Sequence, residues 1–153
     1  SLVYETNARE TMARPRKLDS DLRHGRHCVF VLHVHLVFVT KYRRNVFKKE
    51  HLEAMQLILA NVCEDFDAKL VEFNGEHDHV HLLINYPPKV ALSNLVASLK
   101  GVSARMLRKQ FGDFHPWLKR RGVLWSPSYF ASSCGGAPID ILRQYIEEQQ
   151  TPH

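Results

Sequence analysis

The chain has 153 residues, 44% hydrophobic and 24% charged, a make-up that fits one globular domain able to bury a core. That balance excludes wholesale disorder, and the longest apolar run, residues 29–39, is too short to span a bilayer and is interrupted by His33 and His35. The net charge of +5 is clustered: residues 41–49 carry five bases and no acid, residues 100–121 carry seven bases against Asp113 alone, and residues 50–78 carry eight acids against Lys69 alone. Such clustering suits a binder of phosphate backbones, and a pair of solvated basic faces is the plainer alternative. The polar N-terminus lacks a secretory h-region. Cys28, Cys63 and Cys134 are odd in number and form no CxxC pair, which points to reduced thiols in a cytoplasmic protein.

In chain order, residues 1–26 show no hydrophobic periodicity and carry Arg14, Arg16, Lys17, Arg23 and Arg26, so they read as a flexible basic N-terminal arm. The domain proper is residues 27–150. Residues 28–40, rich in Val, Phe, Leu and His, have the composition of a strand. Leu52, Met55, Leu57, Ile58, Leu59 and Val62 predict a helix over 48–65. A short strand at 69–73, a turn at Asn74-Gly75 and a strand at 79–85 follow, and Pro87-Pro88 stops the last. Leu92, Leu95, Val96, Leu99, Val102, Met106 and Leu107 mark a long helix over 91–111. A polar, basic loop at 117–122 leads to a final strand at 129–132. Gly135-Gly136 breaks the chain, and Pro138 starts a terminal helix over 139–150.

The order strand, helix, strand, strand, helix, strand, helix is that of an α+β fold, the ferredoxin-like or RRM-like split β-α-β arrangement with one appended helix. In that topology the first and third strands are central neighbours. Two helices cover one face of the antiparallel sheet and the other face stays open for a ligand, a partner or the appended helix.

His79-Val80-His81 alternates along a strand, so both imidazoles project from one face and form a partial metal site. Tyr145 and Gln149 lie four residues apart on the terminal helix, hence on one helical face. The Gln149 amide oxygen can complete a His/His/Gln set for Mg²⁺ or Mn²⁺, with Tyr145 beside it as nucleophile. A free phenol has a pKa of about 10, and a nearby cation favours the phenolate. Each piece has a plainer reading alone. His33-Val34-His35 repeats the pattern in the first strand, and tyrosine and glutamine at helical spacing usually mark a surface helix. His24, His27, His51, His115 and His153 are assigned to surface or core.

The stretch His77-Asp78-His79-Val80-His81-Leu82-Leu83 resembles the metal motif of the single-tyrosine HUH transposases, the TnpA proteins of small insertion sequences that move as single-stranded DNA. Thr40-Lys41-Tyr42-Arg43-Arg44 after an apolar strand, Lys100-Gly101, Leu124-Trp125-Ser126, Gly135-Gly136-Ala137-Pro138 and Tyr145-Ile146-Glu147-Glu148-Gln149-Gln150 are similar to further family motifs, in the same order. The resemblance assigns the metal pair to His79 and His81, preceded by Asp78, and leaves His35 to pack near the site, with a ligand role for His33 or His35 as the lesser alternative. It implies a homodimer in which Tyr145 of one chain can meet the histidines of the other, with residues 134–138 as hinge and residues 29–39 as a candidate seam. It implies a substrate of single-stranded DNA hairpins at element ends, a 5′-phosphotyrosine intermediate, no ATP, and a nucleoid-associated prokaryotic setting. Lys41, Arg43, Arg44, Lys100, Arg105, Arg108 and Lys109 are the hairpin-contact candidates, and Tyr42, Phe47 and Trp117 are candidates for stacking on unpaired bases, with core packing the other role for Phe47. A domesticated relative acting on repeated palindromes, a relaxase-like HUH nickase and a non-catalytic single-stranded nucleic-acid-binding module are the rivals. The histidine pair on the third strand, where an RNA-binding sheet carries aromatics, weighs against the last.

Overall fold

A computed structural model describes residues 23–24, 29–30, 32–120, 122–133 and 139–149. Most of the N-terminal arm, the glycine hinge, Cys28 and Cys134 lie outside the described residues. The elements are β1 (Arg23–His24), β2 (Val29–Phe30), β3 (His33–Val39), a 3-10 turn (Lys41–Arg43), α1 (Lys49–Asp65), β4 (Lys69–Gly75), β5 (His79–Asn85), α2 (Leu92–Phe111), α3 (Pro116–Lys119), β6 (Phe130–Ser133) and α4 (Ile139–Glu148). β1 and β2 pair as a separate antiparallel ribbon, so the long first strand expected over 28–40 is split.

The main sheet has the order β4-β5-β3-β6 and is antiparallel throughout, with β3 and β5 central. This is the predicted α+β arrangement. Period-two alternation divides β3 cleanly: Val34, Leu36 and Phe38 join the main core, while His35, Val37 and Val39 face the other way. Val80, Leu82 and Ile84 of β5 do the same opposite them. β3 is hydrogen-bonded to β5 on one side and β6 on the other, so its backbone cannot serve as a seam for a second chain. That corrects the expectation of a seam at 29–39 for its β3 part, residues 33–39. Within the described sheet the edges are β4 and β6.

α1 buries Met55, Leu59, Val62 and Cys63 against this core, and α2 buries Leu95, Val96, Leu99, Ser103 and Leu107. Leu57 is 70% exposed, because two residues beyond Met55 is about 200° around the helix, off the buried stripe. His51 is buried between Phe111 and Phe114, at ring-centroid distances of 4.8 and 4.2 Å, and its Nδ1 accepts the Lys48 backbone N–H at 2.9 Å. It therefore works as a core residue and a helix cap at once. α2 ends at Gly112, whose φ of 69° is cheap only for glycine. The basic loop expected over 117–122 begins with a helical turn instead. Pro116 opens it and the His115 ring accepts from the Trp117 N–H at 3.0 Å, a start signal hidden by the surrounding charge.

Phe38 is fully buried, edge-on to Trp125 at 5.8 Å and to Tyr129 at 6.5 Å. Phe38→Ala is expected to cost about 3–5 kcal/mol of unfolding free energy in urea titrations. The exposed Leu57→Ala is expected to stay within about 0.5 kcal/mol of wild type. Among the described residues no helix is long and apolar enough to cross a membrane.

Candidate active site

The sheet face opposite α1 and α2 carries the site. Register sets its rows: Val39 lies beside His79, and Val37 beside His81 and Phe130. α4 lies over these rows through Ile146, which is buried with Val37 and Val39, while Phe130 and Tyr145 pack at its margin. A cleft of about 210 Å³ opens there, lined by Arg43, Asn74, Glu76, His79, His81, Ile146 and Glu147.

Both predicted histidines line this cleft, their ring centroids 5.0 Å apart. Each is held from behind. His79 Nδ1 lies 2.6 Å from Asp78 Oδ1, and His81 Nδ1 lies 3.4 Å from His35 Nε2. Asp78 is in turn fixed by Arg43, whose Nε donates to Oδ2 at 2.6 Å. The reach of Arg43 comes from the tight turn after β3. Tyr42 (φ 59°) and Arg43 (φ 53°) both take left-handed backbone, and Thr40 anchors the turn by accepting the Arg43 N–H at 2.8 Å and donating its hydroxyl to the Arg44 carbonyl at 2.7 Å. Two successive non-glycine residues in that region cost on the order of 1–3 kcal/mol each, strain of the kind found where a side chain must be aimed.

Electrostatics follow from burial and partners. Burial alone would raise the Asp78 carboxyl, but hydrogen bonds from His79 and Arg43, with their charges, hold it below the ordinary carboxylate value. Burial lowers His35 to about 4. It lowers His81 to about 2, with the neighbouring His79 and His35 adding to the effect. Both rings are therefore neutral at physiological pH, the form in which imidazole ligates a metal.

Tyr145 and Gln149 are not among the cleft-lining residues. The Tyr145 hydroxyl lies 3.1 Å from Ser128 Oγ, and Gln149 Oε1 accepts from Ser126 Oγ at 2.6 Å and from Ser128 Oγ at 3.2 Å. Burial raises the Tyr145 phenol above its ordinary value, against a smaller lowering by the Ser128 hydrogen bond. Within one chain the structure thus joins His79 to His81 and joins Tyr145 to Gln149, but holds the second pair on the loop before β6. Among the described residues no three His, Cys, Asp or Glu side chains converge as a metal cage. Two oriented imidazoles fit a divalent ion that takes its remaining ligands from an amide oxygen and from substrate.

A family model described as "Transposase IS200 like" matches residues 28–149. The chain belongs to the IS200-like transposase family. It is 36% identical over 115 residues to the transposase for insertion sequence element IS200 of Salmonella typhimurium, covering 75% of this chain and 74% of that protein. It is 31% identical over 135 residues to the ISDra2 transposase TnpA of Deinococcus radiodurans, covering 86% and 94%. A crystal structure of a D. radiodurans chain described as a transposase superposes with a TM-score of 0.74 at 33% identity, covering 86% of this chain and 99% of that one. A REP-associated tyrosine transposase bound to a REP hairpin shares the fold, with a TM-score of 0.50 at 11% identity over 82% and 68% of the two chains.

The predicted DNA-contact residues of this IS200-like transposase divide into two groups. Lys100 donates to the Ser126 carbonyl at 2.6 Å and lies half-buried, 6.0 Å from the Phe38 and Tyr129 ring centroids; burial holds its ammonium below the ordinary value. Arg108 donates to the Gly122 carbonyl, and Arg43 is committed to Asp78. These three brace the site and its loop. Arg105 and Lys109 are exposed on α2. Arg44 lies 3.9 Å over Trp117 and 5.0 Å from Tyr42, with Lys41 5.6 Å from Tyr42. Phe47 is buried against Trp125 at 5.3 Å, in the core. Sequence reasoning assigned no role to Ser126 and Ser128. Serine carries no periodic signal, and the loop's ties to Lys100 and to the Val39 carbonyl bring them under α4.

Proposed function

We propose that this transposase cuts and rejoins single-stranded DNA at hairpins near the ends of an insertion sequence, with Tyr145 as the nucleophile. The observation that carries the reading is the His79–His81 pair, backed by Asp78 and His35, opening on a cleft roofed by the helix that bears Tyr145. His79, His81 and Gln149 are the residues that would hold Mg²⁺ or Mn²⁺. When bound, the ion polarises the scissile phosphate and offsets the charge that develops on its oxygens.

The chain's own residues account for the rest. The Tyr145 oxygen, freed of its proton, attacks phosphorus in line. The bond from phosphorus to the 3′ oxygen breaks, and that oxygen takes up a proton. The products are a 5′-phosphotyrosine and a free 3′-hydroxyl. A second 3′-hydroxyl then attacks the phosphotyrosine, restoring a phosphodiester and returning the phenol, so no nucleotide cofactor is consumed. Arg43 holds Asp78, which holds the His79 ring. Lys41, Arg44, Arg105 and Lys109 are the basic groups that would meet hairpin phosphates, and Tyr42 and Trp117 lie beside Arg44.

Gln149 and Tyr145 rest on Ser126 and Ser128 and do not line the cleft of their own chain's histidines. This favours a homodimer in which α4 of one chain completes the histidine pair of the other. The decisive experiment incubates the protein with 5′-labelled and 3′-labelled hairpin oligonucleotides, in Mn²⁺ or in EDTA, and resolves the products on denaturing gels. A covalent adduct is expected only with metal, and only on the fragment whose 5′ end was newly created. Oligonucleotides that bind but never become attached would reduce the chain to a binding module.

A further inference from the structure

His35 backs His81 without itself entering the cleft. It is 7% exposed, sits on β3 between Leu83 of β5 and Ser132 of β6, and does not line the cleft. Its Nε2 nevertheless lies 3.4 Å from Nδ1 of His81, with ring centroids 5.6 Å apart and planes tilted by 31°. The neighbouring ligand shows what such a partner does. Asp78 accepts from His79 Nδ1, which leaves Nε2 as that ring's ligating nitrogen.

We propose that His35 is a positioning residue for His81: its Nε2 accepts the Nδ1 proton of His81, locking that ring in the tautomer whose Nε2 ligates the metal. The inference rests on the metal-site reading above. It also makes the two ligands unequal. His79 is backed by a carboxylate and His81 by a second imidazole. His35 turns its Nε2 to His81 and is not among the cleft-lining residues, so it supports a ligand rather than serving as one. The separation exceeds the usual length of about 3 Å, so the contact tightens as His81 donates more strongly on ligation.

The test uses the full chain and Mn²⁺ alone, its free concentration followed by electron paramagnetic resonance, with wild type, His35→Phe, His35→Gln and His81→Ala. His35→Phe keeps a ring of similar size without an acceptor, and is expected to weaken Mn²⁺ binding about 10–100-fold. His35→Gln restores an acceptor and is expected to recover most of that loss. Nitrogen-15 NMR of the metal-free wild type is expected to show His81 protonated at Nδ1, and His35→Phe to shift it toward a mixture of tautomers. Wild-type Mn²⁺ affinity in His35→Phe, with affinity lost in His81→Ala, would overturn this role and leave the metal site standing. Equal affinity in wild type and His81→Ala would overturn the metal site itself. Thermal unfolding in EDTA accompanies every variant. If His35→Phe does not fold, the wild-type spectrum decides, and an Nε2-protonated His81 refutes the proposal.

Discussion

Tyr145→Phe is expected to abolish strand cleavage and covalent attachment, a fall of about 10⁴-fold or more, while hairpin affinity in EDTA stays within about three-fold of wild type. In the proposed reaction the phenolic oxygen is the atom that bonds to phosphorus, and phenylalanine has none. Its ring keeps the packing that Tyr145 makes against Phe130, whose centroid lies 5.7 Å away. The variant gives up one partly exposed hydrogen bond to Ser128, about 1 kcal/mol, so the fold remains. Mass spectrometry of nuclease-digested adducts checks the assignment directly. A phosphotyrosine still formed in Tyr145→Phe would move the nucleophile to another residue, with Tyr129, at the margin of the main core, the next to test.

The second large effect is loss of stability in mild acid. His35 and His81 sit in the folded chain with pKa values lowered to about 4 and about 2 from 6.5. As pH falls below 6.5 the unfolded chain binds protons that the folded chain does not, so unfolding becomes easier. Each group contributes about 1.36 kcal/mol per pH unit, so the metal-free protein is expected to lose up to about 2.7 kcal/mol per unit between pH 6 and 4. Below pH 4 the His35 contribution levels off. There Asp78, whose lowered pKa stabilises the fold above the unfolded carboxylate value, begins to lose its contribution as it protonates. Domains of this size hold about 5–15 kcal/mol in all, so much of the stability disappears before pH 4. Urea titrations in EDTA at pH 7, 6, 5 and 4 read the slope, and His35→Gln is expected to halve it. A flat profile would mean that the two rings are protonated in the folded state.

The basic residues show what an electrostatic reading of sequence leaves open. Lys100, Arg108 and Arg43 stand in the clusters that suggest a phosphate binder, yet each donates to a group inside the fold. Charge clustering records where bases are dense along the chain. It cannot tell a solvated guanidinium from one turned inward, because that depends on whether a carbonyl or carboxylate waits nearby. Lys100 found the Ser126 carbonyl, and the loop it fastens holds Tyr145 and Gln149.

What the sequence by itself determined was whatever rests on local periodicity. Alternation placed His79 and His81 on one face of β5, the 3.6-residue repeat put Tyr145 on the same side as Gln149, in the turn that ends α4, and the order of elements dictated the sheet with β3 and β5 at its centre. Only the tertiary structure decided which of these groups meet. Arg43 reaches Asp78 across 35 residues and His35 reaches His81 across 46, contacts set by strand register and by a left-handed turn that no residue pattern announces. Local spacing fixes the direction in which a side chain points, whereas its partner is set by how distant strands align when the core closes.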